Sequence, residues 1–268
     1  MSEILEILSY PFVIRALIAG TLISVCASVL GVILVLKHYS LIGHGLSEIG
    51  FASLSIASAL KIPAMIIATP SVIIASFVIM FISQKFKTAG DVAIAVASSF
   101  ALALGISVSS FSGGVSSSSA YLFGSVLAVS VGDLIFSVIL SLTVLIIFAI
   151  FYNRLFLITY NEDYARSLGI NTTFYQFIIS ILTALIIVSG MRITGTLLIS
   201  GVIILPAVSA KNLTSKSFKA LVIISGVISF IAFISGLIIS FIFNIPAGAS
   251  VILLNTAILI FIKLLKGK

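Results

Sequence analysis

His44 and Glu48 stand four residues apart in the run Ser40-Leu-Ile-Gly-His44-Gly-Leu-Ser47-Glu48. On an α-helix that spacing puts both side chains on one face. An imidazole nitrogen beside a carboxylate oxygen is half of a coordination shell for Zn²⁺ or Mn²⁺. Two ligands hold an ion weakly, which suits a path that the ion must also leave. The alternative is a buried His–Glu hydrogen bond that fixes helix packing. Gly43, Gly45 and Gly50, with Ser47 and Ser53, would also let neighbouring helices approach closely.

A second group lies in the polar stretch 153–173. Asn161 is a good N-cap residue, Glu162 and Asp163 fall in the first turn after it, and Arg166 falls near the end of the turn that follows. Gly169 is placed to stop the helix. The spacing predicts a short helix of about two turns on a membrane surface, with Tyr164 and Leu168 on one side of it. Such a helix, running through Ala165, is either a plain surface element or a docking point for a soluble partner.

Other candidates carry less chemistry. Asp91 and Asp133 precede apolar runs and are expected to cap helices. Arg192 is an interface anchor or a gate residue. Pro206 should bend its helix. Cys26 lies alone in an apolar run, so no disulfide forms within the chain. The sequence has no Gly-x-x-x-x-Gly-Lys-Ser/Thr loop, so ATP is not hydrolysed by that device here. Ser250 with His44 as base would suggest an intramembrane nucleophile, but no oxyanion donors accompany it. A proton relay through Glu48 and His44 in a stand-alone carrier is a further alternative.

The elements that must position these residues follow from composition. Of 268 residues, 61% are hydrophobic and 8% are charged. Soluble domains carry about 25% charged residues, so this chain cannot cover its surface in water. It reads as an all-α polytopic membrane protein in a lipid bilayer, one domain over 1–268. A spanning helix needs about 20 apolar residues. Roughly nine stretches qualify: 12–36, 44–60, 64–83, 92–109, 133–152, 174–190, 193–210, 220–243 and 247–263. The second and seventh are weak, which leaves eight or nine spans. Segment 110–132 opens on serines and glycines and is expected to lie at the interface or to enter part-way. The first ten residues lack the basic start of a secretory signal.

Net charge is +7. With no basic run of five or six residues, it marks cytoplasmic loops rather than nucleic-acid binding. With the 153–173 loop inside, basic residues divide about eleven inside to three outside. That sets the C-terminus in the cytoplasm and, for nine spans, the N-terminus outside. With Lys37 at the cytoplasmic interface, His44 lies about 10 Å and Glu48 about 16 Å further in. A charged side chain there costs about 2.5–3.5 kcal/mol and needs a partner or a water-filled path.

Several segments together resemble the permease subunits of ABC importers for zinc, manganese and iron. They include Leu30-Gly-Val-Ile-Leu-Val-Leu-Lys37, Tyr39-Ser-Leu-Ile-Gly-His44-Gly-Leu-Ser47-Glu48, Leu122-Phe-Gly-Ser-Val-Leu-Ala-Val-Ser130, Asp163-Tyr-Ala-Arg-Ser-Leu-Gly169 and Gly195-Thr-Leu-Leu-Ile-Ser-Gly201. They occur in the family's order across nearly the whole chain. The family pattern at the second span is Asp, two variable residues, Ser, then His. Here His44 and Glu48 hold the outer places, so acid and imidazole have exchanged positions.

The resemblance implies a multi-pass permease of the cell membrane with no permanently bound cofactor. It implies a divalent metal cargo, for which zinc leads on ligand chemistry and manganese or iron follow. The exchanged pair also leaves open an organic or chelated cargo. The implied partners are a second copy of the chain, a cytoplasmic ABC ATPase dimer docked on the helix of Asn161, Glu162, Asp163, Tyr164, Ala165, Arg166, Leu168 and Gly169, and an extracellular or periplasmic metal-binding protein.

Overall fold

The computed structural model describes residues 10–85, 90–111, 122–124, 130–214 and 217–266. Most of segment 110–132, and with it the part-way helix expected there, lies outside the described residues, as does the side chain of Asp91. The described residues form ten helices: α1 (Pro11–Leu36), α2 (Ser40–Ala59), α3 (Ala64–Lys85), α4 (Gly90–Phe111), α5 (Val131–Tyr160), α6 (Glu162–Ser167), α7 (Thr172–Thr194), α8 (Thr196–Leu213), α9 (Phe218–Phe243) and α10 (Ala247–Lys266). The fold class is the one expected from composition.

Among the described residues, eight helices are long and apolar enough to cross a membrane: every long one except α2. Nevertheless α2 traverses the bundle. It begins just after Lys37, whose ammonium meets Glu162 beside the C-terminal end of α5. It leads into α3, whose Met65 lines a small cavity with Asp133 at the start of α5 and Arg192 at the end of α7. The two ends of α2 therefore lie at opposite faces. Thirteen of its 20 residues are buried, and α1, α3, α4, α7 and α8 pack around it. Neighbouring helices enclose Ser47, Glu48, Ser53 and Ser55, while His44 stays half exposed.

Between helices in lipid there is no hydrophobic drive, so close van der Waals packing and polar bridges decide which face turns inward. The residue sorting follows that rule. Buried positions of α1 include Ala16, Ala19, Gly20, Ser24, Ala27, Ser28 and Gly31. The outer helices α3 and α5 present Ile66, Ile74, Ile139, Ile146 and Ile150 outward. A methyl group on Gly31 would lie 1.9 Å from the Ile203 carbonyl oxygen, so α1 and α8 touch backbone to backbone. From α9, the Ser225 hydroxyl donates to the Ser28 carbonyl at 3.1 Å and the Ser229 hydroxyl to the Ser24 carbonyl at 2.8 Å. Such bridges contribute about 0.6 kcal/mol each in membranes.

Gly195 alone separates α7 from α8, with φ at 90°. Gly124, with φ at 76°, packs its backbone against Ile193, Thr194 and Gly195. A side chain at either position would collide with backbone and strain a left-handed conformation. The chain can reverse in one residue here because both contacts are glycine. Further on, α8 continues as helix through Pro206, the residue expected to bend it. Asp133 caps α5 as expected, though from inside the helix: Ser130 is the N-cap and Asp133 completes a capping box with it.

Gly31→Leu should lower the thermal stability of the detergent-solubilised protein by about 1–3 kcal/mol or more, through overpacking against α8. Gly132→Ala, where the nearest atom to the new methyl is the Ser130 hydroxyl at 3.6 Å, should leave the melting temperature unchanged in the same assay.

Candidate metal path and coupling helix

His44 and Glu48 meet on α2 as their spacing predicts. The imidazole Nε2 lies 3.3 Å from Glu48 Oε1. The His44 side chain is 47% exposed, whereas Glu48 is 8% exposed. The second carboxylate oxygen of Glu48 is buried and has no hydrogen-bond partner. A buried carboxylate oxygen without a donor is costly, and a cation is one group that would satisfy it. Among the described residues, no three His, Cys, Asp or Glu side chains lie together as a metal-binding group. One chain thus offers two donors at this point, fewer than the four to six of a complete zinc or manganese shell.

Close packing holds the pair in place. A methyl on Gly45 would lie 2.9 Å from Ile94 of α4, and one on Gly50 would lie 2.9 Å from the Met191 sulfur of α7. These contacts support the packing role read from the glycines, although Gly43 has open space around it apart from Ile203 at 3.9 Å. The Ser47 hydroxyl donates to the His44 carbonyl at 2.7 Å. It turns back on its own helix and stays out of the pair.

The short helix α6 also forms as expected. The Asn161 side chain accepts from the Tyr164 amide at 2.9 Å, and Gly169 takes φ of 76° just after the helix. Ala165 is fully buried against the bundle, while Tyr164 and Leu168 are exposed apolar side chains. Glu162 is the hub beneath them. Its carboxylate accepts from Lys37 at 3.1 Å, from Gln176 at 2.7 Å and from Arg166 at 2.7 Å. Arg166 also donates to Thr172 at 3.0 Å, which ties the end of α6 to the start of α7.

The electrostatics of the hub differ between its partners. Burial pushes the Glu162 pKa up, but the charge and hydrogen bond of Lys37, with Arg166 and Gln176, outweigh it and hold the carboxyl below its ordinary value. Its contribution to stability is present above the ordinary glutamate range and is lost as pH falls through that lowered value. Burial dominates at Lys37, pushing its ammonium pKa down despite the attraction of Glu162. The asymmetry matches exposure, 6% for the Lys37 side chain against 27% for Glu162.

At the opposite face, Arg192 forms an ion pair with Asp133. Both residues carry other readings in the sequence, as anchor and as cap, and their pairing joins the end of α7 to the start of α5. The sequence signal for it was that the charge rule puts both on one side. Lys37 and Gln176 were missed as partners of Glu162. Lys37 stood only as an interface marker, and nothing in the local sequence around Gln176 singles it out.

Residues 9–266 match the model of the ABC 3 transport family. The manganese import system permease protein ScaB of Streptococcus gordonii is 32% identical over 253 residues, covering 94% of this chain and 90% of the relative. The manganese transport system membrane protein MntC of Listeria monocytogenes is 30% identical over 252 residues, with the same coverage of each. Among solved structures, PsaBC from Streptococcus pneumoniae in complex with Fab is similar at a TM-score of 0.87 and 26% identity, covering 97% of this chain and 94% of that one. A match across almost the whole chain, on a fold of this kind, means that the protein belongs to the ABC 3 transport family.

Proposed function

We propose that this chain is the membrane-spanning permease subunit of an ABC importer for manganese(II). The observation that carries the reading is the Glu48 carboxylate: one oxygen against His44, the other buried without a donor, on an interior helix. Zinc led on imidazole chemistry alone. The relatives named as manganese systems move the reading to manganese. A carboxylate suits manganese, and the low place of manganese in the affinity order suits an ion that must be released.

Two copies of the chain line the path between them, each contributing His44 and Glu48. Together they supply four nitrogen and oxygen donors where one chain has two. The protein acts as one permease domain in the cell membrane with its C-terminus in the cytoplasm. Lys263 and Lys266 in the last turn of α10 support that orientation under the positive-inside rule. ATP hydrolysis comes from a separate ATPase dimer that seats on Tyr164 of α6 and Leu168 just after it, and an extracellular metal-binding protein delivers the ion.

Elemental analysis of cells expressing the chain with its ATPase and binding protein tests the cargo. Glu48→Gln and His44→Ala should each lower manganese accumulation at least tenfold, with the protein still in the membrane and zinc and iron unchanged. Wild-type manganese levels in both variants would remove the pair from the path. Leu168→Asp tests the docking surface. It should abolish co-purification of the ATPase, or leave ATP hydrolysis running without uptake. Unchanged co-purification and coupling would exclude that face.

A further inference from the structure

The hub beneath α6 joins three parts of the molecule that carry different functions, and two of its members have no role in the reading above. Lys37 caps the C-terminal end of α1. The turn that follows is short and tied down. His38 takes φ of 59°, its amide bonds back to the Val35 carbonyl at 3.4 Å, and the Tyr39 amide bonds back to the Leu34 carbonyl at 2.8 Å. Ser40 then begins α2, and His44 follows about 6 Å along that helix. A shift of Lys37 is therefore passed to the start of the helix that carries the His44–Glu48 pair.

Gln176 makes the second connection. It is 1% exposed near the start of α7 and donates to the same Glu162 oxygen that Lys37 meets. The far end of α7 carries Met191, whose sulfur packs on Gly50, two residues past Glu48. One carboxylate on α6 is thus tied to both elements that hold the pair, the α1–α2 turn and α7. The ties resist stretching for a chemical reason. The Lys37 ammonium is buried, and withdrawing Glu162 would leave that charge without its anionic partner, so movement of α6 and movement of the turn are bound together.

We infer that Lys37 and Gln176 are positioning residues that transmit the docked state of α6, through Glu162, to the helix bearing His44 and Glu48. This rests on the permease reading and adds to it a route by which the ATPase is felt at the metal pair. Both residues face inward, away from the surface offered to a partner.

The test uses the full transporter, permease with ATPase, reconstituted in proteoliposomes with manganese and the loaded binding protein. ATP hydrolysis, manganese transported per ATP and co-elution of the subunits are measured for Lys37→Met and Gln176→Met. Both substitutions keep a linear side chain and remove the polar group that grips Glu162. The expected result is a fall of at least tenfold in manganese per ATP, with hydrolysis and co-elution as in wild type. A merely structural role would not move that ratio in an assembled complex. Wild-type ratios in both variants overturn the inference. If Lys37→Met fails to assemble, Gln176→Met decides alone, and loss of assembly in both also overturns it, because the hub would then be a staple. Failure of the wild-type complex to transport manganese would sink the permease reading instead, so the two failures are distinguishable.

Discussion

A carboxylate cannot sit in hydrocarbon without a partner, and the placement of Glu48 constrains much of this molecule. The face of the helix that carries it cannot meet lipid, so that face must be enclosed, and enclosure in a bilayer depends on small residues. That requirement is met on α2 itself by Gly45 and Gly50, which admit Ile94 and Met191 at close range. It is met again on α1, where Gly31 brings a neighbouring backbone into contact. Large aliphatic side chains lie on both sides of the bundle: Leu30, Ile33, Leu46 and Leu54 are buried within it, while Ile66, Ile74, Ile139, Ile146 and Ile150 face outward from α3 and α5. The buried polarity of Glu48 and the close glycine contacts around it answer the same constraint.

Enclosure also explains why the bundle is tied differently at its two faces. Near Lys37 one carboxylate gathers three donors from three elements. At the other face, among the described residues, the Arg192–Asp133 pair and a glycine-to-glycine contact join α5, α7 and the segment at Gly124. The first arrangement is a hub with exposed apolar side chains beyond it, at Tyr164 and Leu168. The second has a reversal of chain direction within one residue, at Gly195. In the proposed reading a transporter driven from one side needs its mechanical connections on that side, and the polar hub at Glu162 lies beside α6, the helix proposed to dock the ATPase.

Much of this was legible in the sequence, because membrane spans, caps and charge asymmetry are local signals. The apolar runs, the Asn161 cap, the Gly169 stop and the His44–Glu48 spacing each follow from neighbours within about one or two helical turns. The weakness of the second span was legible too. Its crossing is counted among the nine spans, but what encloses it was not legible, because α1, α3, α4, α7 and α8 come from other parts of the chain. Lys37 shows the same limit. Its place at a helix end reads as an interface marker, while its burial and its bond to Glu162 link positions 125 residues apart. Asp133 reads correctly as a cap, yet its pairing with Arg192 needs the antiparallel packing of α5 on α7.

The incompleteness of the metal pair is itself informative. A storage or structural site closes its coordination shell within one chain and holds its ion tightly. Here a single chain brings one half-exposed imidazole and one buried carboxylate with an unused oxygen. Such a pair binds well only when further donors are brought to it, and binds poorly when they are withdrawn. On the proposed reading, affinity then depends on the relative position of helices, which is the quantity that an ATPase docked on α6 would change. A site that was complete on its own would be indifferent to that movement. The two-donor arrangement and the proposed link from α6 to α2 are therefore consistent with one another: in the transport reading, each has a use only if the other exists.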